Sequence, residues 1–297
     1  MQHRDPPTGQ AVALTRRLVL SLGCLPLAGC SAVGAFNALA PADDGARLAA
    51  SGLAYGELPR QRLDIYAPPG AAGLPAVLFL YGGGWNSGSR ADYGFAGRAL
   101  AARGCVVAVA DYRLVPEVRY PVFLEDCALA LRWLRDNAAS HGGDARKLFA
   151  MGHSAGGYNA LMLALDPGLT RGAGLRGQVL RGAIGLAGPY DFLPLDVPES
   201  QQAFGGTPDL PRTQPVNHAT SFAPPTFLAT GADDDVVYPR NAKALASRLK
   251  AAGRPVELHV YPGVGHAGLL LALSPPFRDR APVLDDVARF IASHSAA

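Results

Sequence analysis

The fold class this sequence predicts is α/β: a mostly parallel central sheet with helices on both faces. Three observations lead there. From about Arg47 onward, short β-branched runs alternate with stretches whose apolar residues fall at helical spacing. Several of those runs, at 76–80 and 105–110, are apolar throughout, as strands covered on both faces must be. With 49% hydrophobic and 17% charged residues in 297, the chain can also bury one sizeable core.

Taken in order, residues 63–66 form an early strand of alternating character and 76–80 the first buried one. A helix at 95–103 leads to the strand 105–110, and a longer helix at 123–137 to the strand 147–151. Further strands fall at 182–186, 226–230 and 256–261, with helices at 158–165, 239–252 and 281–293. Each strand ends near something polar or rich in glycine, and open α/β sheets bind ligands at the carboxyl ends of their strands. Residues 191–225 are rich in Pro, Gly and polar side chains and long for a plain connection. They read either as a partial lid or as a surface excursion.

The N-terminus reads separately. Thr15-Arg16-Arg17 precedes an apolar run of about a dozen residues, shorter than the roughly 20 needed to cross a bilayer, so 1–29 is expected to be a secretory signal. Leu27-Ala28-Gly29-Cys30 resembles the cleavage box of bacterial lipoproteins. That resemblance implies that Cys30 is lipidated, that 30–50 is a linker and 51–297 the catalytic domain, and that the exported protein is held at a membrane facing the periplasm or cell exterior. Arg16-Arg17 fits either a twin-arginine or a general export signal. Without Arg4, Arg16, Arg17 and Asp5 of that leader, the net charge of +3 falls to +1. No basic stripe remains for phosphates, which argues against a nucleic-acid partner. Cys105 and Cys127 remain in the body, either as a disulfide or as two buried small hydrophobes.

The chemistry centres on Gly152-His153-Ser154-Ala155-Gly156. A serine hydroxyl needs an adjacent base and a position clear of its neighbours. Glycines two residues to either side, between an apolar strand and a helix, permit the sharp turn that lifts Ser154 off the sheet. Tyr81-Gly82-Gly83-Gly84-Trp85 follows the strand 76–80 directly, so bare backbone N–H groups there can face a developing oxyanion. Gly83, Gly84 and Ala155 are the candidate donors. No Gly-Lys-Ser/Thr follows, as a phosphate loop would require. Of seven histidines, His3 and His294 lie at the ends, His259 alternates within a strand and His141 and His218 sit in polar loops. His153, on the turn beside Ser154, is expected to point elsewhere. His266, in a glycine-rich loop after the last strand, is the candidate base. An acid to hold its tautomer is expected among Asp233, Asp234 and Asp235; Asp126 and Asp191 read as structural. Trp85, Phe192 and Leu269 are candidates for the substrate pocket or, equally, for the core.

Together, Gly152-His153-Ser154-Ala155-Gly156, Tyr81-Gly82-Gly83-Gly84-Trp85, Gly231-x-x-Asp234-x-x-Val237 and Gly265-His266 resemble bacterial carboxylesterases of the α/β-hydrolase superfamily. The nearest branches are the feruloyl-esterase-like and kynurenine-formamidase-like enzymes. The resemblance covers most of 50–293 and implies a serine carboxylesterase acting on small or aryl esters through an acyl-enzyme. Its Gly-x-x-Asp-x-x-Val spacing selects Asp234, and it implies no metal and no organic cofactor. A formamidase or amidase would use the same triad, and a membrane-tethered binding protein is the rival from another class. Tyr81 departs from the family motif, His-Gly-Gly-x-Trp, in which the histidine generally braces the loop.

Overall fold

The computed structural model describes residues 32–295; the leader expected at 1–29 and the lipidation of Cys30 lie outside the described residues. Along the chain run α1 (Ala32–Leu39), β1 (Arg47–Ala54), β2 (Arg62–Ala67), β3 (Leu74–Leu80), α2 (Gly94–Ala101), β4 (Val106–Ala110), α3 (Val122–Asn137) and β5 (Gly143–His153). They are followed by α4 (Ala155–Leu165), α5 (Pro167–Gly172), β6 (Leu180–Leu186), α6 (Pro198–Phe204), β7 (Thr226–Gly231), α7 (Arg240–Ala251), β8 (Val256–Tyr261), α8 (His266–Leu271) and α9 (Val283–Ser295).

The eight strands form one sheet in the order β1-β2-β4-β3-β5-β6-β7-β8. β1 and β2 are antiparallel, β2 is antiparallel to β4, and the remaining pairs are parallel. In the middle strands this demands side chains that are apolar on both faces, and residues 76–80 and 106–110 are buried without exception. The chain steps from β3 to β4 through α2 in one direction, then crosses to β5 through α3 in the other. Because such crossovers are right-handed, the two helices fall on opposite faces. α2 packs with α9 on one side, and α3, α4 and α5 pack together on the other. The reversal opens a crevice at the carboxyl ends of β3 and β5, where the loop at 81–89 and Ser154 both lie.

Two elements correct the expected linker over 30–50 and the expected domain start at 51. α1 docks on the domain: Phe36 stands edge-on to Phe95 at 5.1 Å. Its neighbour Asn37 accepts the Phe95 N–H at 2.7 Å and donates to the Ala91 carbonyl at 2.8 Å. β1 then adds an edge strand to β2. Neither has a strong apolar pattern to read, since α1 buries no residue fully and β1 is mostly exposed. The segment 191–225 carries α6 and two 3-10 turns. It packs inward through Phe204, whose ring lies edge-on to that of Trp85 at 4.8 Å. Cys105 and Cys127 are both buried and free, so the disulfide is absent.

Candidate active site

Ser154 occupies the single residue between β5 and α4. Its φ of 56° is a left-handed conformation that costs a non-glycine residue on the order of 1–3 kcal/mol. The turn is held by the Ser154 N–H, which donates to the Leu186 carbonyl at 2.8 Å, and by the Ser154 carbonyl, which accepts from Tyr158 at 3.1 Å. Gly156 lets α4 press against the end of β3, because a Cβ there would stand 2.0 Å from the Leu80 carbonyl oxygen.

The structure brings Ser154, His266 and Asp234 together from three carboxyl ends of the sheet. His266 Nε2 lies 2.9 Å from Ser154 Oγ and its Nδ1 lies 2.9 Å from Asp234 Oδ2. An ionised carboxylate only accepts, so Nδ1 carries the proton and Nε2 is free to accept from the serine hydroxyl. The other carboxylate oxygen of Asp234 accepts the N–H groups of Val236 and Val237 at 3.0 and 2.8 Å. Its side chain is wholly buried, whereas Asp233 and Asp235 are exposed. The turn thus places one of three adjacent acids inward and leaves the others in water, where their repulsion is screened.

Gly83, Gly84 and Trp85 have φ of 125°, 57° and 60°. This run of positive φ turns the chain sharply after β3, and the N–H groups of Gly83 and Gly84 have no protein acceptor among the described residues. Ala155 is the first residue of α4. Its N–H therefore has no intrahelical partner and points along the positive end of the helix dipole. Gly82 abuts Ser154, since a Cβ on it would fall 2.9 Å from the Ser154 Cβ. The loop and the elbow are thus in direct contact through Gly82.

Tyr81, in the family's histidine position, is buried between two other tyrosines. Its ring stacks on Tyr112 at 4.8 Å and on Tyr93 at 5.4 Å. Burial pushes its phenol pKa well up, so its oxygen accepts a hydrogen bond from Arg60 Nη2 at 2.8 Å as a neutral group. Arg60 lies in the turn before β2, and nothing in the local sequence marks it.

His153 does not point away from the site, contrary to expectation. Its ring centroid is 4.7 Å from that of His266, and its Nε2–H donates to the His266 carbonyl at 3.1 Å. Burial, and then the neighbouring His266, press its pKa down to about 3, which keeps it neutral. Of the candidate pocket residues, Trp85 and Leu269 are core side chains, 4% and 0% exposed, and Phe192 is half-buried against Trp85 and Phe204. Trp85 is fixed further by its indole N–H, which donates to Asn159 at 3.1 Å. Exposed apolar side chains stand on the turn after Asp234, at Val236 and Tyr238, and on the segment after Asp191, at Leu193 and Val197. Asn241 links the two segments that carry them. Its carbonyl accepts from Tyr190 and Asp191, and its amide donates to the Tyr238 carbonyl. Among the described residues there is no His, Cys, Asp and Glu grouping that could hold a metal ion.

A Ser–His–Asp relay at the carboxyl ends of a mostly parallel sheet, below a glycine-rich loop, defines the α/β-hydrolase class of folds. Comparison with known proteins agrees. The BD-FAE family model matches residues 63–249, and the chain belongs to that family. Carboxylesterase NlhH of Mycobacterium tuberculosis is 34% identical over 236 residues, covering 71% of this chain and 72% of the relative. The isoprenylcysteine alpha-carbonyl methylesterase ICME of Arabidopsis thaliana is 29% identical over 262 residues, covering 80% of this chain and 61% of the relative. Esterase LipC of Mycobacterium tuberculosis is 32% identical over 241 residues, covering 73% of this chain and 59% of the relative. The chain therefore spans about 60% of the length of ICME and LipC. Among solved structures, esterase B from Lactobacillus rhamnosis superposes with a TM-score of 0.77 at 21% identity, covering 89% of this chain and 90% of that one.

Proposed function

We propose that the protein is a serine carboxylesterase acting on small-molecule esters, with Ser154 as nucleophile, His266 as base and Asp234 as the acid that orients it. The supporting observation is the continuous relay of two 2.9 Å contacts from Ser154 Oγ through His266 to Asp234. As Ser154 Oγ bonds to the ester carbonyl carbon, its proton passes to His266 Nε2 and the carbonyl oxygen becomes an oxyanion facing the N–H groups of Gly83, Gly84 and Ala155. Collapse of that intermediate breaks the bond to the alcohol, which leaves with the proton from His266. Water, deprotonated by His266, then attacks the acyl-enzyme and releases the acid and free Ser154. Buried Asp234 stabilises the imidazolium at each transfer.

The relatives named carboxylesterase, methylesterase and esterase support ester bonds as the target. The exposed apolar residues Leu193, Val197, Val236 and Tyr238 suit an ester with an apolar part, and the segment 191–225 serves as a partial cap packed on Trp85. The deciding experiment is hydrolysis of a short p-nitrophenyl ester, with labelling by a fluorophosphonate probe. Ser154→Ala is expected to abolish both while retaining the fold, and undiminished turnover in that variant rejects the assignment.

For location, the proposal is an exported lipoprotein held by a lipid on Cys30. It rests on Leu27-Ala28-Gly29-Cys30 and the apolar run before it. Among the described residues no helix is long and apolar enough to cross a membrane. Cys30→Ser is expected to move the protein from the membrane to the soluble fraction; continued sedimentation with membranes refutes the anchor.

A further inference from the structure

We infer that Arg60, acting through Tyr81, is a positioning residue that holds the oxyanion loop in place for ester hydrolysis. The inference rests on the reading of Gly83 and Gly84 as oxyanion donors. A loop that presents unpaired N–H groups on its inner side has few bonds there to fix its shape. Three successive positive φ values, one of them at Trp85, add strain that its surroundings must oppose. Within the loop the Gly83 carbonyl accepts the Asn86 N–H at 3.1 Å, the Ser87 N–H at 3.0 Å and the Ser87 hydroxyl at 2.9 Å, and further restraint comes from the outer side.

Arg60 supplies it. Its Nη2 donates to Tyr81 Oη and to the Gly88 carbonyl, each at 2.8 Å, and its Nε donates to the Tyr112 carbonyl at 2.9 Å. One guanidinium thus joins the first residue of the loop, a residue near its end and the chain leaving β4. The phenol of Tyr112 returns the link by donating to the Tyr81 carbonyl at 2.8 Å. Gly88 closes over the Tyr81 ring so tightly that a Cβ there would stand 2.8 Å from it. A planar fork of donors at fixed angles can serve three separated acceptors at once, and an ammonium group cannot copy that geometry. Asp111, 4.0 Å from Arg60, is itself paired with Arg90, which leaves the guanidinium donors to the loop. An imidazole is shorter than a phenol, so the histidine of the family motif would leave Nη2 without this acceptor. Arg60 and Tyr81 act as one unit, and the role of the missing histidine is divided between them.

The test compares wild type, Arg60→Met, Arg60→Lys, Tyr81→Phe and the double variant Arg60→Met/Tyr81→Phe in p-nitrophenyl butyrate hydrolysis, with thermal unfolding of each. Arg60→Met is expected to lower kcat by about 10- to 100-fold with KM changed by less than about twofold, since misplaced oxyanion donors weaken only the transition state. Tyr81→Phe is expected to lower kcat by about 3- to 10-fold, and Arg60→Lys to fall between Arg60→Met and wild type. The double variant should lose no more than Arg60→Met alone. A folded Arg60→Met with wild-type kcat, or losses that multiply in the double variant, overturns the inference. If Arg60→Met does not fold, Tyr81→Phe decides, and wild-type kcat in that folded variant overturns it equally. A wild-type protein that neither turns over esters nor reacts with a fluorophosphonate removes the esterase reading, and the clamp falls with it.

Discussion

His153 donates its Nε2–H to the backbone carbonyl of His266 at 3.1 Å, with the two rings 4.7 Å apart. The residue beside Ser154 therefore supports His266 from behind. It does so as a neutral imidazole, because its buried site disfavours the cation, and a positive charge there would oppose protonation of His266.

That arrangement has a sign in the pH dependence of stability. The pKa of His153 is lowered from 6.5 to about 3 in the folded protein, so between those values the unfolded chain binds a proton that the folded chain refuses. Stability is then full above pH 6.5 and falls as pH drops toward 3. At pH 4.5 the loss from this one group is about 2–3 kcal/mol. Urea unfolding at pH 7.5 and 4.5 should show a difference smaller by that amount in His153→Gln than in wild type. An equal difference in both proteins rejects the buried neutral state.

Asp234 is expected to act through the tautomer of His266. In Asp234→Asn the amide NH₂ can donate to Nδ1, which favours the proton on Nε2 and leaves no acceptor for Ser154. The expected outcome is a kcat lower by about 10³–10⁴ with little change in fold. The exposed neighbours Asp233 and Asp235 provide the contrast, since Asp233→Asn and Asp235→Asn should each stay within about twofold of wild type. Loss of activity on replacing either neighbour, with Asp234→Asn active, would move the acid's role to the neighbour.

Much of this site could be read from the chain, and the reason is local. Ser154 and Asp234 follow apolar strands and His266 an alternating one, each within a few residues and on turns marked by glycine. Arg60, His153 and Asn241 were not readable in the same way. Their partners lie 21, 113 and 51 residues away, and only the fold brings them into contact. The sheet was legible in its buried middle strands, where both faces must be apolar. β1 was not, because an exposed edge strand carries no such constraint. α1 was hidden for a related reason: it docks through Phe36 and Asn37 rather than through an apolar stripe.

Asn241 joins the start of the 191–225 segment to the turn after Asp234. Its side-chain carbonyl accepts two backbone N–H groups, from Tyr190 and Asp191, each at 2.9 Å. It is 5% exposed, so Asn241→Leu would leave those N–H groups without a partner at a cost of about 1–3 kcal/mol. The backbone N–H of residue 241 keeps its own bond to the Tyr238 carbonyl at 3.0 Å, so it is the start of the 191–225 segment that loosens, and KM for apolar esters is expected to rise by about three- to tenfold. Chemical denaturation with steady-state kinetics checks both, and an unchanged KM separates that segment from substrate contact.

Gly156 tests the contact between elbow and sheet. A methyl group at this position would stand 2.0 Å from the Leu80 carbonyl oxygen and 2.4 Å from that of Tyr81. Both atoms are backbone at the end of the central strand, so neither can swing aside as a flexible side chain would. Gly156→Ala must push α4 off β3, which widens the gap between Ser154 and the loop that begins at Tyr81. The expected loss is about 1–3 kcal/mol of stability together with a fall in kcat of about 100-fold, the effect of a misplacement near 1 Å. Gly172→Ala is the matched control. It lies at the end of α5 with nothing within 4 Å of the added carbon, and a helical glycine replaced by alanine should hold or gain up to about 1 kcal/mol. Thermal unfolding and ester turnover of the two variants should therefore differ in sign for stability, with turnover reduced in Gly156→Ala alone. Equal behaviour of the two would show that the close packing of α4 on β3 does not set the position of Ser154.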